Sequence, residues 1–284
     1  MSSRKSPASA ESRAAAEFDS AASEWFDTTC ELFPEHASKW GLRKFDPLLG
    51  DNTPARRAAH IQLLERTLSR IEALPESLFH GDAWLDRRGM LALLRTTLLH
   101  ERDLLDWRRN PQIHSNTAID SIFELVVRGA EKIQKVLPAI ESRLAKLPDY
   151  LRAGAECLRS PEPLWASLAV QSCAGAVEFL EGLETELNPF VSDAKRFHKN
   201  LHSASRAFEE YAAAVSRKKP GAAGGFAIGR ERMEFLIREQ LGLDLSLPEV
   251  RAIGLREISR HEHLLAEAAK KLGRRAAKEF LEEQ

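Results

Sequence analysis

The chain has 284 residues, 43% of them hydrophobic and 29% charged, with 41 Lys+Arg against 42 Asp+Glu and a formal net charge of −1. That length holds one large domain or two modest ones with a sizeable core. The charges are balanced and interspersed, which excludes the concentrated basic face of a nucleic-acid binder, so no nucleic-acid partner is expected.

Residues 1–18 are rich in Ser, Ala and Arg and are expected to form a disordered tail. They carry positive charge but no apolar run of signal-peptide length, and no later stretch reaches the ~18 apolar residues of a membrane helix. The three cysteines, Cys30, Cys157 and Cys173, fit neither a disulfide framework nor a paired zinc knuckle. Reduced thiols, a cytoplasmic location and no membrane association are the expectation.

A helical domain is expected over residues 19–215. Ile61, Leu64, Leu68, Ile71 and Leu74 recur at helical spacing, with Thr53 to cap that helix and Pro54 in its first turn. The same rhythm runs from Ile119 through Ile133 and Ile140 to Leu147, where Pro138 should kink or restart the helix. It continues through Leu164–Leu187 and Phe197–Val215. No segment alternates with period two, so the fold class is all-α, a multi-helix bundle-like or orthogonal array with little or no sheet.

Residues 216–229 form a Gly-rich connecting loop. It is no phosphate-cradling loop, because Gly229 is followed by Arg230 and Glu231 rather than Lys and Ser or Thr. Residues 230–284 are expected to be C-terminal helices packing on the helical domain. Gly242 is placed to stop the first, and Ser246 with Glu249 forms a capping box for the second.

HEHLL at 261–265 starts like the zinc-peptidase signature His-Glu-x-x-His, but Leu265 stands where the second histidine belongs. His263 lies roughly 200° around the helix from His261 and cannot share a metal with it. His261 is expected to be half-buried and hydrogen-bonded to Glu257, with a ligand-binding role for the pair as the sharper reading. His198 and His202 in HKNLH have ligand spacing, yet Lys199 occupies the general-base position, so they are weak metal candidates and no metal site is assigned. Glu-x-x-His and Gly-x-Ser-x-Gly are both absent. Trp107, in DWRRNP, is a candidate to line a pocket or to pack between helices.

Four segments, LFPEHASKWGLRKFDPLLGD (32–51), DWRRNPQIHSN (106–116), RLAKLPDYLRAGAECLRSPEPLWASLAVQSCAGAVEFL (143–180) and GGFAIGRERMEFLIREQLGLDLSLPEVRAIGLREI (224–258), come in a telling order. Together they resemble the N-terminal helical half of the bacterial "domain of unknown function 885" family, over roughly residues 20–275. The resemblance implies a mainly helical zinc metallopeptidase of the gluzincin kind, whose His-Glu-x-x-Pro-Gly-His motif and third, glutamate ligand lie beyond the matched region. No catalytic residue and no zinc ligand therefore carries over. The expectation is a cleft-forming portion, truncated relative to the family and inactive alone, whose partners are a peptide substrate or the missing catalytic half. The alternative is a stand-alone helical module that holds a peptide or partner helix in a groove.

Overall fold

A computed structural model of the chain describes residues 7–271. Among these there is no strand, and the fold is all-α. The final residues of the expected C-terminal helices, 272–284, lie outside the described range, as do residues 1–6 of the expected tail. The chain divides into two units, Met1–Ala227 and Ile228–Gln284.

The first unit opens with α1 (Pro7–Leu32). Helix therefore replaces the expected disordered tail from Pro7 onward. Its small residues Ala14 and Ala21 are buried, and Phe18 meets Phe79 edge-on at 5.9 Å. Burial of that face compensates for a composition that reads as tail. Helix α3 (Pro54–Glu72) and helix α4 (Asp82–Leu98) pack with α1 around Ala21, Leu64, Ile71 and Leu94. Arg70 of α3 clasps Glu17 at 2.8 Å and Glu24 at 2.6 Å on α1. As expected, Thr53 caps α3, its hydroxyl accepting from Arg56 N–H at 3.3 Å, with Pro54 at the first position. Between α1 and α3 come the short α2 (Pro34–Lys39) and an irregular segment to Asn52.

Four further helices make a second bundle. They are α6 (Gln112–Gly129), α7 (Ile133–Cys157), α8 (Pro163–Leu187) and α9 (Ala194–Arg217). Ile122, Ile140, Leu144, Leu180, Phe197 and Phe208 meet in its core, each no more than 1% exposed. The helix break expected at Pro138 falls earlier. The chain reverses between Gly129 and Ile133, and Pro138 lies within the early turns of α7. Gly129 explains the shift: a Cβ there would stand 2.2 Å from Val136 Cγ2, so only glycine lets the two helix ends approach.

Buried polar groups join this bundle to its surroundings. Arg143 of α7, 1% exposed, donates to the carbonyls of Leu48 (3.0 Å), Ser121 (2.5 Å) and Phe45 (3.3 Å). Tyr211 of α9 donates to the Pro111 carbonyl at 2.8 Å. The three cysteines are buried and unbridged: Cys30 on α1 beside Ala37 and Phe45, Cys157 at the end of α7, and Cys173 in the four-helix core.

The Gly-rich loop is tied down within this unit. Glu162 accepts from Gly224 N–H at 3.2 Å, Gly221 N–H donates to the Pro161 carbonyl at 2.8 Å, and Arg109 donates to the Gly225 carbonyl.

The second unit contains α10 (Arg230–Glu239) and α11 (Leu247–Lys271). Gly242, at φ 66°, follows α10, and Glu249 reaches back to Ser246 N–H at 2.8 Å at the start of α11. Both are as the sequence predicts.

Candidate functional site

The two bundles of the first unit meet at a layer of buried charge. Its centre is the ion pair between Arg56 of α3 and Glu35 of α2, at 3.2 Å, with both side chains at least 96% buried. Glu35 also accepts from Gly50 N–H at 3.0 Å. The guanidinium of Arg56 stands 4.7 Å from the Phe33 ring centroid and donates to the Leu32 carbonyl at 3.2 Å. It lies so close to Gly50 that a Cβ there would fall 1.6 Å from Nη1. Charges this deep are tolerated only when paired and hydrogen-bonded; Arg56 Nη1 meets that condition, while Arg56 Nε is buried with no hydrogen-bond partner among the described residues.

Next to it, Arg57 pairs with Glu101 at 2.7 Å. Glu101 comes from a π-helical segment, Leu99–Leu104, inserted between α4 and α5 (Asp106–Arg109). The segment ends at Leu105, a non-glycine residue at φ 53°. That left-handed conformation costs about 1–2 kcal/mol and turns the chain into α5, after Glu101 has met Arg57. Burial raises the Glu101 pKa, against the lowering pull of Arg57 and Arg56, and its Oε2 has no hydrogen-bond partner among the described residues.

Asn52, at φ 54° and 1% exposed, donates from Nδ2 to the Tyr150 carbonyl at 3.1 Å. Its Oδ1 lies 3.1 Å from His114 Nδ1. His114 Nε2 donates to the Trp107 carbonyl at 2.7 Å, and burial pushes this histidine down to about 3. His60, edge-on to Phe33 at 4.7 Å, is pushed down to about 4, first by burial and then by Arg57 and Arg56. His36, stacked on Phe33, is lowered by burial. Burial thus favours the neutral form of all three imidazoles.

Above this layer opens a cavity of about 430 Å³. Arg57, Glu101, His36 and Tyr150 meet it from the charged side, and Asn110, Asn116, Thr117 and Asp120 from α6 and the turn before it. A narrower extension of about 100 Å³ runs between α2 and α6 past Lys39 and Glu124, which pair at 2.6 Å. Asp120 borders both spaces. Burial raises its pKa, with Lys39 pulling the other way, and no ion pair engages it among the described residues. The arrangement supplies hydrogen-bond donors and acceptors for a polar ligand and one carboxylate for a cation.

The expected site residues fall mostly elsewhere. Trp107 is 4% exposed and braces the site from behind: its Nε1 donates to the Glu101 carbonyl at 3.0 Å and its carbonyl holds His114. His261 and Glu257 lie on α11. His261 is exposed, not half-buried, and its Nδ1 donates to the Glu257 backbone carbonyl at 2.8 Å. The Glu257 carboxylate instead meets Arg260 at 2.7 Å. His198 on α9 abuts the Glu184 carboxylate of α8, and His202 is exposed beside a shallow cleft. No group of three or more His, Cys, Asp or Glu side chains is placed to hold a metal among the described residues. The layer of Glu35, Asn52, Arg56, Arg57, Glu101 and His114 escapes reading by periodicity. The available signal is the pair Arg56-Arg57 inside an otherwise amphipathic helix, together with the FPEH and QIHSN stretches.

Among the solved structures that this chain resembles is a "putative lipoprotein of unknown function" from Shewanella oneidensis, with a TM-score of 0.70 and 18% identity. The match covers 90% of this chain and 48% of that one, so this chain spans about half the length of the structure it matches. At that identity the likeness concerns the fold alone. No curated protein matches the sequence. The profile described as "Bacterial protein of unknown function (DUF885)" matches residues 34–284, and the chain belongs to that family.

Proposed function

We propose that this helical array is the recognition portion of a hydrolase-like protein, walling a cleft that receives a peptide and cleaving nothing by itself. The observation that carries the reading is the polar cavity where the two bundles meet. Asn110, Asn116 and Thr117 present amide and hydroxyl groups, which satisfy both the N–H and the C=O of an extended backbone. Asp120 offers its unpaired carboxylate to an ammonium such as a peptide N-terminus. The metallopeptidase activity that the family resemblance implies favours a peptide over other polar ligands. The fold match within a chain about twice as long accords with a portion that works beside a catalytic half, to which any zinc would belong. A stand-alone peptide- or protein-binding module is the second reading, favoured by a cavity complete within residues 33–150. A cytoplasmic setting, where three unbridged thiols stay reduced, is part of the same proposal.

Calorimetric titration of trialanine with a free N-terminus, and of its N-acetylated form, tests the reading. Saturable binding of the free peptide, weakened by acetylation and by Asp120→Asn, is expected. Product analysis with added zinc should show no cleavage. Absence of saturable binding would remove the peptide, and zinc-dependent, chelator-sensitive cleavage would remove the non-catalytic role.

A further inference from the structure

A second cavity, of about 610 Å³, opens in the first unit where the irregular segment after α2 passes the α6–α7 turn. It does not touch the polar site. Its floor is apolar, made by Pro47, Gly129, Val136, Pro138 and Ala139. Its rim is cationic: Arg43, Arg128, Lys132 and Lys135 face one carboxylate, Asp46.

That carboxylate is already engaged. Asp46 Oδ1 lies 2.6 Å from Arg128 Nη2 and accepts from Ser38 Oγ at 2.8 Å. Arg128 Nη1 donates to the Ser38 carbonyl at 2.6 Å. Arg43 makes only a loose contact to Asp46 at 3.9 Å. Lys132 and Lys135 have no acidic partner within 4.0 Å among the described residues. A chain of net charge −1 thus gathers about three uncompensated cations around one apolar hollow. The α7 N-terminus opens at the same rim and adds to the positive potential.

We propose that this cavity binds an amphiphile with an anionic head, a carboxylate or a phosphate, whose hydrocarbon or aromatic body lies on the Val136–Ala139 floor. The head meets Lys132, Lys135 and Arg43, and the Arg128–Asp46 pair fixes the wall. The volume is that of a small-molecule pocket, and the combination of apolar floor and convergent charge is what such ligands require. Neither half suffices: a free anion gains little from exposed lysines in water, and a neutral tail leaves the cations without a partner.

Isothermal titration with octanoate, octyl phosphate, octanamide, acetate and inorganic phosphate tests this on the full chain. Octanoate and octyl phosphate should bind saturably and weaken with added NaCl. Octanamide, acetate and inorganic phosphate should bind about tenfold more weakly or worse. Lys132 and Lys135 are exposed, so K132E/K135E should keep the helical circular dichroism and melting temperature while losing octanoate binding by about tenfold. Octanamide binding as tightly as octanoate, or K132E/K135E binding it unchanged, would overturn the proposal. So would absence of saturable binding at millimolar octanoate. Displacement of bound octyl phosphate by phosphatidylglycerol vesicles would identify the source of the head as a lipid, and failure to displace it would identify a soluble molecule.

Discussion

At the scale of single residues, Gly154 shows how tightly the polar layer is closed. It lies in α7, where alanine would ordinarily be favoured by about 1 kcal/mol. A Cβ there would lie 2.7 Å from Asn52 Nδ2 and 2.8 Å from His114 Cγ, and both side chains are buried and held by hydrogen bonds. The clash outweighs the propensity, so Gly154→Ala should destabilise by about 1–3 kcal/mol. Gly175, in the middle of α8, meets nothing within 4 Å. Gly175→Ala should stabilise by about 0.5–1 kcal/mol. Urea midpoints for the two variants should move in opposite directions, and a shift of the same sign would contradict this account of Gly154. The sequence alone gives no reason to treat these two helical glycines differently. The distinction comes from Asn52 and His114, which lie far off along the chain.

At the scale of elements, Glu162 does two jobs. Its carboxylate caps α8, accepting from Trp165 N–H at 3.0 Å, and also holds Gly224 of the Gly-rich loop. The loop is therefore an anchored strap, a point that composition leaves open between lid and connector. Glu162→Ala should cost about 1–2 kcal/mol through the lost cap. It should also speed proteolytic nicking between residues 217 and 227, while Glu162→Gln, which keeps an acceptor, should do less of both. Equal nicking of Glu162→Ala and the parent chain would show that the strap does not depend on this carboxylate. Capped ends such as Thr53-Pro54 and Ser246–Glu249 are legible because local chemistry sets them. The π-helical segment and the left-handed Leu105 are not. The sequence LLHERDLLDW reads as continuous helix, and only the pull of Arg57 on Glu101 and the packing of Trp107 justify the irregular turn.

At the scale of the whole molecule, the buried histidines make folding sensitive to acid. His60 sits at about 4 in the folded protein against an ordinary 6.5. Above 6.5 both folded and unfolded chains hold it neutral, and the stability is fully present. Below 6.5 the unfolded chain takes up a proton that the folded pocket refuses, and stability is lost progressively as the pH falls through about 4. That gap corresponds to about 3 kcal/mol. His60→Leu should therefore lose about that much less stability than the parent between pH 7 and pH 4, measured as denaturant midpoints. Parallel curves would show that His60 carries no such load. Helical periodicity in Ile61–Leu74 and Phe197–Val215 suffices for the all-α class, because the apolar stripes are complete. The register itself puts Arg57 one turn before Ile61 and His114 one turn before Ala118, on the buried stripes, but their polarity reads as solvent-facing because a hydropathy pattern does not weigh pairing. The polar site is therefore legible only once two bundles bring those residues together.

The three unbridged cysteines give the fold an internal set of clocks. A thiol reacts as its thiolate, and burial both hides Cys30, Cys157 and Cys173 and raises each of their pKa values. Each must wait for its surroundings to open before a reagent can reach it. Cys30 reports the α1–α2 corner, Cys157 the margin of the polar layer, where its Sγ lies 3.6 Å from the Asn52 carbonyl, and Cys173 the four-helix core. One chain, unmodified, thus records whether its corner, its seam and its core come apart together or in turn.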